Sequence, residues 1–175
     1  MMATESLESL ITDIAQRLTA SGKMLVTAES CTGGLIAAQI TARPGSSAWF
    51  ERGWVTYANA AKTEELGVTA ELIAQHGAVS EAVAAAMARG ACAHSHGDFA
   101  IAVTGIAGPD GGSAEKPVGT VCFGWASNTG STIETVHFKG DRQSIRQQAT
   151  HHALAGFLSM LIHIPHSHQS TALSF

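Results

Sequence analysis

Residues 24–40 constrain the fold more than any other stretch of the chain. A short apolar, β-prone run, Met24-Leu25-Val26, leads through Thr27-Ala28-Glu29-Ser30-Cys31-Thr32-Gly33-Gly34 into Leu35-Ile36-Ala37-Ala38-Gln39-Ile40, which reads as helix. A strand therefore stops and a helix starts within a few residues, with Ser30 at the junction. A hydroxyl there lies close to backbone N–H groups that have no intrahelical partner. Those groups can receive the oxyanion that nucleophilic attack creates. The ordinary explanation of a Ser or Thr at such a place is an N-cap, and Ser30 and Thr32 both fit it.

The same alternation runs through the chain. Leu7, Leu10, Ile11, Ile14 and Leu18 follow helical spacing after a cap at Thr4 or Ser6, and Gly22 ends that helix. Met24 to Ala28 is the first strand. Arg43-Pro44-Gly45-Ser46-Ser47 is a loop, and Trp54-Val55-Thr56-Tyr57 reads as the next strand. Short helices cover 60–66 and 69–76, and Ser80 caps an Ala-rich helix to about His94. Phe99 to Val103 is continuously apolar, as a central strand is. A Gly-rich loop over 104–119 follows, then strands over 120–126 and 132–138 around a turn at 127–130. Asp141 caps a final helix with Leu154, Phe157, Leu158 and Leu161 on its buried stripe, and Pro165 stops it. Helices alternating with strands predict an α/β sandwich with helices on both faces, and the late hairpin predicts a mixed central sheet. One domain over residues 1–165 is expected, with 166–175 a loose tail.

With 45% hydrophobic and 14% charged residues, the chain can bury a sizeable core. A net charge of −4 argues against a nucleic-acid binder but not against a small anionic ligand, which needs one local positive site. Cys31, Cys92 and Cys122 are too few and too scattered for a disulfide framework. No stretch is long enough for a membrane span, and the first residues do not resemble a signal peptide, so the expected compartment is the cytoplasm.

Three further features bear on chemistry. A Ser nucleophile needs a base, and no histidine is well placed for that role. Tyr57-Ala58-Asn59-Ala60-Ala61-Lys62 offers a lysine instead, which serves if burial keeps its amine neutral. Tyr57 can then relay a proton with the same group. Such a lysine is otherwise a solvated surface charge. Val103-Thr104-Gly105-Ile106-Ala107-Gly108-Pro109-Asp110-Gly111-Gly112 follows an apolar strand, where open α/β sheets bind ligands. It is neither a dinucleotide fingerprint nor a P-loop, and a tight structural loop explains it equally well. Arg142 and Arg146 share one face at the start of the last helix, where an anion between them would suit both guanidinium forks; Asp141 balancing Arg142 is the alternative.

Two motifs are set aside. Ser113-Ala114-Glu115-Lys116 fits an S-x-x-K pattern, but that pattern requires a helix start and here lies in a loop. Cys92, His94 and His96 step by two along a helix end, so their side chains diverge and no metal site is expected.

Taken together, Ala28-Glu29-Ser30-Cys31-Thr32-Gly33-Gly34, Tyr57-Ala58-Asn59 with Lys62, Val103-Thr104-Gly105-Ile106-Ala107-Gly108-Pro109 and Lys116-Pro117-Val118-Gly119-Thr120-Val121 resemble the CinA C-terminal domain family over roughly residues 5–163. The resemblance implies a three-layer α/β/α fold and hydrolysis of the carboxamide of nicotinamide mononucleotide, without a metal or organic cofactor. It places the nucleophile at Ser30, the base at Lys62 and the assisting tyrosine at Tyr57. Substrate contacts fall on Cys31, Thr32, Gly33, Gly34, Thr104 and Gly105, and the phosphate ligand on Arg142 or Arg146. It further implies a homo-oligomer, a dimer or larger, to which Trp49 and Phe50 contribute unless they are core. The alternatives are a catalytically silent nucleotide-binding module of the same fold, or a hydrolase of another small amide.

Overall fold

A computed structural model describes residues 5–163 of the protein. The elements are α1 (Leu7–Ser21), β1 (Leu25–Glu29), α2 (Leu35–Thr41), a 3-10 turn (Ser46–Ala48), β2 (Phe50–Val55), α3 (Asn59–Leu66), α4 (Ala70–His76), α5 (Glu81–Ala93), β3 (Phe99–Gly105), β4 (Thr120–Ser127), β5 (Gly130–His137) and α6 (Arg142–His163). The sheet order is β2-β1-β3-β4-β5. β1 runs parallel to both β2 and β3, while β4 and β5 continue antiparallel, so the sheet is mixed as expected.

Side chains alternate across the pleat and build a separate core on each face. On one side Leu25, Ile101, Val103, Phe123 and Trp125 pack with α1, α2 and α6, including Leu154, Phe157, Leu158 and Leu161. On the other, Val26, Ala28, Ala100, Ala102 and Ala126 meet Leu66, Ile73, Val83, Met87 and Ala91 of α3, α4 and α5. The small sheet residues on this second face let α5 approach closely. β1 and β3 are buried on both faces, which explains why Phe99 to Val103 reads as an unbroken apolar run. Trp49 is 2% exposed and Phe50 packs beside it, so both belong to the first core.

The caps follow the sequence. Ser6, Thr69 and Ser80 accept from the backbone N–H three residues on, and Asp141 Oδ1 accepts from Ser144 N at 2.8 Å. The alternative cap Thr4, the stop at Pro165 and the tail lie outside the described residues. One strand is displaced: β2 occupies 50–55, not 54–57. It is a sheet edge, mostly open to solvent, and its register against β1 admits Glu51, Arg52 and Gly53, which carry no strand signal. Thr56 and Tyr57 thereby become the turn that leads into α3. Among the described residues no helix is long and apolar enough to cross a membrane.

Candidate active site

The site forms at the carboxyl ends of β1 and β3. Ser30 directly follows β1, and its N–H donates to Val103 O at 2.9 Å, so the chain stays tied to β3 up to the residue where it turns. The turn into α2 needs Gly33 and Gly34 because both have positive φ, +59° and +93°, which a residue with a Cβ enters at a cost. β2 delivers Thr56, whose N–H donates to Glu29 O at 2.8 Å, and α3 then places Lys62 under the turn.

Lys62 is 1% exposed, and its Nζ lies 3.1 Å from Ser30 Oγ and 2.7 Å from Thr56 O. Among the described residues it has no carboxylate partner. Burial without a counter-charge disfavours the ammonium and pulls the lysine below its usual range. The one opposing influence is Cys31, but burial pushes that thiol up to about 12, so at neutral pH Lys62 faces a thiol and not a thiolate. Nζ donates to the Thr56 carbonyl and lies at hydrogen-bond distance from the Ser30 hydroxyl, so that loss of the ammonium proton leaves a lone pair beside that hydroxyl. A surface cation, the ordinary reading of this lysine, is not what the fold makes of it.

The turn amides are mostly engaged. The Glu29 carboxylate, fully buried, accepts from Gly34 N at 3.0 Å, Ile36 N at 3.1 Å and Ala37 N at 2.9 Å. Gly33 N donates to Ser30 O and Leu35 N to Thr32 O. Of the donors expected over Cys31 to Gly34, only those of Cys31 and Thr32 have no acceptor among the described residues. Cys31 is the more open of the two.

The other candidates divide. Gly105 is pressed against the turn, since a Cβ there would meet Cys31 Sγ at 3.0 Å and Val121 Cγ2 at 2.8 Å. Thr104 is 1% exposed and its hydroxyl donates to Ala78 O at 2.8 Å, so it buttresses the loop before α5. Tyr57 is 60% exposed and its hydroxyl accepts from Arg142 Nη2 at 2.8 Å; no hydrogen bond joins it to Ser30 or Lys62. Arg142 Nη1 donates to Gly108 O at 2.7 Å, bridging Tyr57 to the Gly-rich loop. Arg146 turns the other way, donating from Nε to Cys31 O at 3.0 Å and from Nη2 to Thr32 O at 2.9 Å. Lys116, set aside above, donates to His76 O and Val79 O and braces the loop before α5.

Sequence reasoning passed over two groups: the Glu29 carboxylate and the Thr56 carbonyl. The first carried a signal, an acid closing an apolar strand just before a helix. The second carried none, because a backbone oxygen shows in no sequence pattern.

The family model of the CinA C-terminal domain matches residues 7–161. The chain is 53% identical over 154 residues to the nicotinamide-nucleotide amidohydrolase PncC of Escherichia coli, covering 87% of this chain and 93% of that one. It is 50% identical over 156 residues to the protein of the same name from Pseudomonas putida, covering 89% and 98%. Among solved structures, competence/damage inducible protein CihA of Agrobacterium tumefaciens is 44% identical with a TM-score of 0.87 over 91% of this chain and 99% of that one. The competence damage-inducible protein A of Klebsiella pneumoniae gives 39% and 0.88 with the same coverage.

Proposed function

Since the chain belongs to the CinA C-terminal domain family, we propose that it hydrolyses the carboxamide of nicotinamide mononucleotide to nicotinate mononucleotide and ammonia. The observation that carries the chemistry is the 3.1 Å approach of a buried, carboxylate-free lysine to Ser30. The names of the relatives supply the substrate.

In this reading Ser30 Oγ attacks the amide carbon as its proton passes to Lys62 Nζ. The oxyanion settles on the free amide of Cys31, with that of Thr32 behind it; removing one such donor typically slows turnover by ~10²–10³. Lys62 returns the proton to the leaving nitrogen, the C–N bond breaks and ammonia departs. Water then attacks the acyl-serine, giving its proton to Lys62, and Ser30 leaves reprotonated. Arg142 takes the phosphate, because it is the exposed arginine and its present partners are replaceable, and the 104–112 loop lines the ribose. Drawing Arg142 to the phosphate frees the Tyr57 phenol, which can then turn inward and aid the proton transfer.

The test is ammonia release from purified protein given nicotinamide mononucleotide, the matching riboside and unrelated small amides. Rapid release from the mononucleotide is expected. Binding without release supports a silent nucleotide-binding module and overturns the proposal; equal release from the unrelated amides overturns the substrate.

A further inference from the structure

Two charged side chains grip the Ser30–Gly34 turn by different atoms. Glu29 holds it through amides, with three N–H groups converging on one fully buried carboxylate at 2.9–3.1 Å. Arg146 holds it through carbonyls, with Nε and Nη2 spanning two successive oxygens, those of Cys31 and Thr32. The two residues come from unrelated places in the chain, the last residue of β1 and the second turn of α6.

We infer that Glu29 and Arg146 are positioning residues for this reaction, bracing the turn so that the Ser30 hydroxyl stays at Lys62 and the Cys31 and Thr32 amides stay unengaged. The inference rests on the amidase reading above for its kinetic arm.

The peptide geometry supports it. A trans peptide points its C=O and N–H in opposite directions. Drawing the Cys31 carbonyl onto Arg146 therefore turns the Thr32 N–H away from α6. Glu29 gathers Gly34, Ile36 and Ala37, the neighbouring donors that would compete for an oxyanion, and leaves the Cys31 and Thr32 amides. A fork is needed for this: the guanidinium offers two donors at fixed spacing, whereas an ammonium is a single point. Arg146 is thereby committed to the turn, and Arg142 remains for the substrate's anionic end.

The substitutions Glu29→Gln and Arg146→Lys keep size and are expected to fold. The amide of Glu29→Gln presents N–H groups to N–H groups; the amine of Arg146→Lys cannot span both carbonyls. Each is expected to lower kcat by about tenfold or more while KM for the mononucleotide stays within about threefold, since small misplacement of reacting groups costs rate and not binding. Because both brace one turn, the double variant should lose less than the product of the single losses. Amide hydrogen exchange at Gly33 and Gly34, read by NMR, should quicken in both variants. Unchanged kcat in both, or a raised KM with intact kcat in Arg146→Lys, overturns the inference; the second result makes Arg146 a substrate ligand. If the wild-type protein releases no ammonia, the functional reading has failed while exchange still decides the bracing: unchanged protection at Gly33 and Gly34 overturns it.

Discussion

Lys62 Nζ and Ser30 Oγ stand 3.1 Å apart, joined across 32 residues of chain by the turn that follows β2. The contact is buried, and Thr56 O holds the amine from the other side. A buried amine whose charged form is disfavoured, set beside an alcohol, is the physical basis of the functional expectations.

Ser30→Ala should remove ammonia release, a fall of about 10³ or more in kcat, with secondary structure and melting temperature little changed. The side chain gives no packing to either core, so the loss is chemical. Parallel assays of ammonia release and circular dichroism check this.

Turnover should fall as pH drops through the lowered pKa of Lys62, because the ammonium cannot accept the serine proton. The pH profile of kcat/KM should show this acidic limb below the ordinary lysine value of about 10.4. A limb at the ordinary value would remove Lys62 as the base.

Lys62→Met should abolish turnover yet leave the fold as stable or more so. The unfolded chain holds the lysine proton up to about pH 10.4, whereas the folded protein releases it at lower pH. Between those values the unfolded state binds more protons, so wild-type stability rises with pH. Below that window the burial of Lys62 works against folding, and methionine removes the penalty. Denaturant titrations of both proteins across pH read the difference, which should narrow toward alkaline pH.

Arg142→Gln should raise KM for the mononucleotide roughly 10- to 100-fold, the value of losing hydrogen bonds from a charged donor, with a smaller change in kcat. Tyr57→Phe should do the opposite and lower kcat more than it alters KM. Steady-state kinetics separate the two, and identical profiles would mean that Tyr57 serves only to hold Arg142.

Gly156→Val should destabilise the fold by about 1–3 kcal/mol through overpacking. A Cβ at position 156 would run into the Trp125 ring, and that ring is fixed by its Nε1 donating to Ala153 O at 2.8 Å. Thermal unfolding reads this without reference to activity.

Local chemistry was enough to read the alternating helices and strands, the Ser and Asp caps, the apolar central strands and the turn at Gly33-Gly34, because capping, periodicity and positive φ act within a few residues. It also marked Ser30, Lys62 and the two arginines as candidates. The edge strand β2 reads at 54–57 in the sequence and lies at 50–55, since its place is set by register against β1 and not by its own residues. Only the tertiary structure decided that Lys62 is buried with its ammonium disfavoured, that Arg146 faces the turn while Arg142 faces Tyr57, and that Glu29 takes the helix amides. Burial, and with it the balance between solvation and charge, arises only when segments distant in the chain close over one another.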